Sequence, residues 1–190
     1  DDLITFSSPE NIKKGGDNTS LNFNVGFPIK KTKVMLDMGV YGSLGNSPMY
    51  INEIMNKVKS QSLGFNASLN ITPISWMSWF INYNRNANKT KYTIFTQQNQ
   101  TYSYQGISSD INFQLPNKIF LTSRFNYSQQ KNERLNLNQH QPILGVNLYK
   151  IFGKKSQHEI RLSAHDIFNK NLGVNQFANS NEVSDRKSVV

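Results

Sequence analysis

The chain has 190 residues, a formal charge of +9, no cysteine, 37 % hydrophobic residues and a mean hydropathy of −0.55. No apolar run approaches the roughly 20 residues that a membrane-spanning helix needs, and a conventional buried core would be thin. The zero cysteine count excludes a disulfide framework and thiolate metal sites.

The first predicted element places Leu21, Phe23, Val25, Phe27 and Ile29 on one parity and Ser20, Asn22, Asn24 and Gly26 on the other. A period of two is a strand with one apolar face. After Lys30-Lys31-Thr32, the residues Val34, Leu36, Met38 and Val40 face away from Asp37, Gly39, Tyr41 and Ser43, so the two runs form a hairpin. A polar connection is then expected from Gly45 to about Lys59, before Leu63, Phe65, Ala67, Leu69 and Ile71 resume the alternation.

Thr72-Pro73-Ile74-Ser75 turns the chain into a fourth strand, where Trp79, Ile81 and Tyr83 oppose Ser78, Asn82 and Asn84, and Phe80 interrupts the polar face. A loop is expected from about Asn86 to Gln100. Ile107, Ile111, Phe113 and Leu115 then alternate with Ser108, Asp110, Asn112 and Gln114, and Pro116-Asn117 turns again. The last three strands carry Ile119, Leu121, Phe125 and Tyr127, then Leu144, Val146 and Leu148, then Ile160, Leu162 and Ala164.

Connections thus alternate between short turns near residues 30, 73, 117 and 154 and long polar loops near 50, 93, 135 and beyond 170. The expected fold is all-β: a segment of an antiparallel up-and-down transmembrane β-barrel, with short periplasmic turns and long extracellular loops. Alternation sustained for about 10 residues favours this over a soluble sheet, whose strands usually run to about 5 or 6.

This fold sorts the candidate residues. Asp37, Tyr41, Asn66, Asp110, Arg124 and Asn147 fall on the polar parity and are expected to face the lumen, because a strand charge facing lipid is costly. Phe27, Trp76, Tyr83, Phe113 and Tyr127 are expected to form aromatic girdles at the two membrane interfaces. The lysines cluster at strand ends without a recognition helix, so nucleic acid is not an expected partner. His158 and His165 lie on opposite parities, and no phosphate loop, nucleophile elbow or zinc motif occurs. No metal, cofactor or enzymatic activity is expected.

The segment Glu159-Ile160-Arg161-Leu162-Ser163-Ala164-His165-Asp166-Ile167-Phe168-Asn169 resembles the penultimate strand of TonB-dependent-receptor-like outer-membrane barrels. In that family such a strand ends in an Asp, two apolar residues and Asn, which Asp166 through Asn169 match. The resemblance implies uptake of a bulky, unidentified ligand across a bacterial outer membrane, with its lipid, a plug domain and TonB as partners. It also implies that residues 1–190 form a partial barrel domain, whose plug, N-terminal strands and closing strand lie outside this sequence. The alternatives are a passive porin, an adhesion barrel, or a soluble secreted protein binding glycans through Trp76, Trp79 and Tyr83.

Overall fold

The computed structural model describes residues 15–29, 33–51, 54–154, 156–171, 174–178 and 183–187. The turn at Lys30, Lys31 and Thr32, Lys155 of the turn expected near residue 154, and the chain end at Ser188-Val189-Val190 lie outside these residues.

Eight strands follow in order: β1 (Asp17–Ile29), β2 (Val34–Ile51), β3 (Ile54–Ile74), β4 (Met77–Tyr92), β5 (Gln100–Leu115), β6 (Ile119–Asn132), β7 (Leu137–Phe152) and β8 (His158–Ala164). Each pairs antiparallel with its chain neighbours in one up-and-down sheet. A separate two-stranded antiparallel hairpin, β9 (Val174–Ala178) with β10 (Val183–Lys187), stands where a long loop is expected.

The register keeps the apolar residues on one face. One row runs Leu36, Leu69, Ile81, Ser109, Phe125 and Leu144 from β2 to β7, and the next toward the short turns runs Ile71, Trp79, Ile111, Ser123 and Val146. This face is open: Leu21, Phe23, Leu44, Leu63, Ile160 and Leu162 are each more than half exposed. The Trp79 indole N–H, which would be orphaned on an apolar surface, donates to Ser109 Oγ at 2.9 Å.

The apolar band crosses the strands obliquely. Leu144 on β7 shares its row with Leu36 on β2, yet the apolar run on β2 continues along the strand to Leu44. With about 3.3 Å per residue and about 4.8 Å between strands, that margin slopes at roughly 45°. Strands of outer-membrane barrels are tilted by about 35–45° to the membrane normal, so a level bilayer cuts them along such a line.

The segments expected as long loops are largely strand. β2 and β3 pair as far as Ile51 and Ile54, β4 reaches Tyr92, and β6 and β7 are joined by residues 133–136 alone. Side-chain alternation reports only where one face meets an apolar medium. Backbone pairing continues beyond it, through residues such as Ser47, Met49, Tyr50, Asn56, Lys57 and Val58 whose polarity follows no parity.

Prolines mark where the ladder can spare a donor. Pro28 is on the edge strand β1, Pro73 sits at the bulge between Ile71 and Ile74, and Pro116 opens the β5–β6 turn. Pro48 lies beyond the last β1–β2 pair, and Pro142 lies outside the β7–β8 ladder.

Candidate functional site

The polar face is built row by row from the other parity. Asp37, Ser68, Asn82, Ser108 and Asn126 form one row; Asn70, Phe80, Asp110, Arg124 and Gly145 form the next toward the short turns. All six residues expected on the lumen side, Asp37, Tyr41, Asn66, Asp110, Arg124 and Asn147, lie on this face. Phe27, Tyr83, Phe113 and Tyr127 lie on the apolar face, and Trp76, in the β3–β4 turn, sets its ring 6.2 Å from that of Phe113.

The structure gathers three of the lumen candidates into one recess. Asp110, Arg124 and Asn147 line a cavity of about 360 Å³ together with His165, Asp166 and Asn171. Arg124 Nε donates to Asp110 Oδ1 at 2.5 Å, and Asn147 Nδ2 donates to Thr122 Oγ1 at 3.3 Å. The Arg124 side chain is 71 % exposed, so the ion pair contributes at most about 1 kcal/mol to stability. It fixes the direction of two charges rather than holding the sheet together.

The recess exists because the chain turns back after β8. Asp166 and Asn169 adopt left-handed backbone conformations, φ 48° and 49°, which Asp and Asn tolerate better than most residues. The Asp166 carboxylate accepts the backbone N–H of Lys170 at 3.0 Å and of Asn171 at 2.9 Å, and its carbonyl accepts that of Asn169 at 2.8 Å. Ile167 N–H donates to the Leu144 carbonyl at 2.9 Å, and Gln141 Nε2 to Asn171 Oδ1 at 3.1 Å, which ties the turn to β7. The Asp-apolar-apolar-Asn pattern thus has a mechanical role: Asp166 caps its own turn.

Tyr41 and Asn66 stand elsewhere on the polar face. Tyr41 lays its ring across the directly paired Gly64, and the side-chain oxygen of Asn66 closes over Gly39. Nearer the short turns is a stack that alternation alone does not reveal. The Phe120 and Tyr149 rings are 4.8 Å apart and nearly parallel, and the Arg161 guanidinium sits 4.6 Å over Tyr149, held by Glu159 at 2.7 Å. Phe120 lies between the apolar-face residues Ile119 and Leu121, so its opposite parity was the available signal.

Toward the long-hairpin ends, beyond the Asp37 row, the described polar face carries no charged side chain. It presents mainly Asn, Gln, Ser, Gly and Tyr, with Met49, Val58 and Leu137 at the hairpin ends. Burial raises the pKa of Tyr102 and, against the opposing charge of Arg134, that of Tyr92. Such a wall can bind a hydrated polar solute by hydrogen bonds from many weak sites.

The hairpin ends are pinned to one another. Asn56, 1 % exposed, accepts from Thr93 N at 3.0 Å, Thr93 Oγ1 at 2.7 Å and Ile94 N at 3.1 Å, while Tyr92 N donates to Asn99 Oδ1 at 2.7 Å. Asn56→Leu leaves these donors without their acceptor. It is expected to cost about 1–3 kcal/mol locally, read as faster amide exchange at Thr93 and Ile94 with unchanged exchange in β6. Protection that stays at the wild-type level would show that Asn56 does not hold the loop.

A broad, tilted, up-and-down sheet with one lipid-compatible face and one hydrated face defines a membrane β-barrel wall. The chain belongs to the outer membrane protein beta-barrel family, which it matches over residues 40–189, and is thereby a bacterial outer-membrane protein. No curated protein and no solved structure matches it significantly.

Proposed function

We propose that this chain is barrel wall of an outer-membrane receptor that admits a bulky ligand through a gated, TonB-coupled lumen. The observation that carries this reading is that, among the described residues, the eight strands do not close: β1 and β8 stand at the two ends of the sheet. Eight strands suffice for a small barrel filled by its own side chains, and open edges are not tolerated in hydrocarbon. Further strands completing the ring make a wider lumen, with room for a plug and a ligand. The match of Asp166 through Asn169 to the receptor-like pattern supports the same reading.

Two measurements test it on the full-length protein. Reconstituted into vesicles, it is expected to keep them tight to small sugars and to capture the isolated C-terminal domain of TonB. Steady sugar leakage without TonB capture would replace the receptor with a passive porin.

The orientation of the wall has its own check. Single cysteines at Leu36, Ile111 and Leu121 are expected to report lipid when labelled with a polarity-sensitive fluorophore, and cysteines at Asp37, Asp110 and Thr122 to report water. A dry, detergent-independent environment at the first set would point instead to a soluble sheet.

A further inference from the structure

Charge is segregated between the two faces at the long-hairpin end. The polar face there is neutral among the described residues, whereas Lys57, Lys59, Arg85, Lys89, Lys91 and Lys131 all fall on the parity that carries the apolar band. These side chains are exposed on the outward surface.

Three of them converge. Lys59 on β3 is directly opposite Lys91 on β4, and Lys89, on the same face two residues along β4, is opposite Gln61. Like charges directly opposite one another in a sheet are destabilising. The described ion pairs, Arg124 with Asp110 and Arg161 with Glu159, include none of these lysines. Asp17 shares the row of Lys59 two strands away, and its carboxylate accepts from Asn46 Nδ2 at 3.0 Å.

Directly below the lysines, the same face is hollowed. Gly42 and Ala87 alternate with Leu21 and Leu63 in one row, and the small side chains leave a groove of about 670 Å³ walled by Leu21, Phe23, Val40, Leu44 and Leu63. Its lining is overwhelmingly apolar, yet Lys89 stands at its rim. An apolar slot that ends in a cluster of ammonium groups outside the described ion pairs has the shape and charge of a receptor for one amphiphile.

We propose that this outward groove holds a phosphorylated, acylated lipid of the outer leaflet, with an acyl chain between Leu21, Leu44 and Leu63 and phosphate among Lys59, Lys89 and Lys91. The site rests on the apolar face meeting lipid, and is separate from the lumen and from any transported ligand. Phosphate offsets the Lys59 and Lys91 repulsion, and the chain fills the space that Gly42 leaves.

The test uses the folded full-length protein in detergent micelles, with bound lipid counted by native mass spectrometry. The probes are a bis-phosphorylated acylated disaccharide lipid and its dephosphorylated form. Wild type is expected to retain one phosphorylated lipid, and K59Q/K89Q/K91Q to weaken it about tenfold to a hundredfold. Gly42→Phe, which fills the groove without touching a lysine, is expected to weaken both lipids.

Equal retention by the triple variant and wild type would overturn the site, as would no preference for the phosphorylated lipid. So would an equal loss in K131Q, which would mark diffuse attraction to a basic rim. The shift of the folded barrel on unheated gels is followed in the same samples. Its absence would defeat the barrel reading, whereas its presence with no lipid retained defeats the lipid site alone.

Discussion

Leu69→Arg is expected to destabilise the full-length, lipid-embedded protein by about 2–4 kcal/mol, whereas Ser68→Arg, one residue away, is expected to change stability by less than about 1 kcal/mol. The contrast follows from the register alone. Leu69 lies in the row of Leu36, Ile81 and Phe125, within the apolar band, and Ser68 in the row of Asp37, Asn82 and Asn126 on the polar face. An Arg at the first position must draw water or headgroups into the hydrocarbon, while one at the second joins a hydrated face that already carries Asp37. Urea unfolding of the protein reconstituted in vesicles, followed by Trp fluorescence, reads both. Equal costs would mean that the faces are not lipid and water, and the fold would have to be a two-sided soluble sheet.

That prediction depends on what the sequence shows best. Wherever one face meets lipid, as along Leu63, Phe65, Ala67, Leu69 and Ile71, alternation is imposed position by position and the strand is legible. It fades where both faces meet water. The stretch from Gly45 to Lys59 therefore resembles a loop, although β2 and β3 pair along it as far as Ile51 and Ile54. Strand tilt was also illegible, because it emerges only when the row joining Leu36 to Leu144 is compared with the apolar margin at Leu44.

The candidate site was legible in its parts and not in its assembly. Parity alone placed Asp110, Arg124 and Asn147 on one face. Their enclosure with His165 and Asn171 depends on the turn capped by Asp166, and resemblance singled out that residue without explaining it. The Phe120–Tyr149–Arg161 stack was missed because one aromatic on a polar parity reads as an irregularity until its cross-strand partner is known. From the sequence the lysines are charges at strand ends; they form one surface because the register sets Lys59 directly opposite Lys91.

Gly64→Leu is expected to cost about 1–3 kcal/mol, and Tyr41→Ala introduced with it to recover most of that loss. Gly64 is paired with Tyr41 across β2 and β3, and the phenol ring lies over the glycine where any Cβ would collide with it. A larger residue at 64 must push the ring off the sheet, uncovering backbone that an aromatic over a glycine otherwise shields. Tyr41→Ala alone removes a favourable cross-strand contact and is expected to cost about 0.2–1 kcal/mol. In the double variant the new leucine occupies the vacated space, so the two changes are strongly non-additive. Unfolding free energies of the four proteins in the same vesicles close the cycle. Additive costs would show that the ring does not cover Gly64, and that the inner wall between β2 and β3 is open to the lumen rather than sealed by Tyr41.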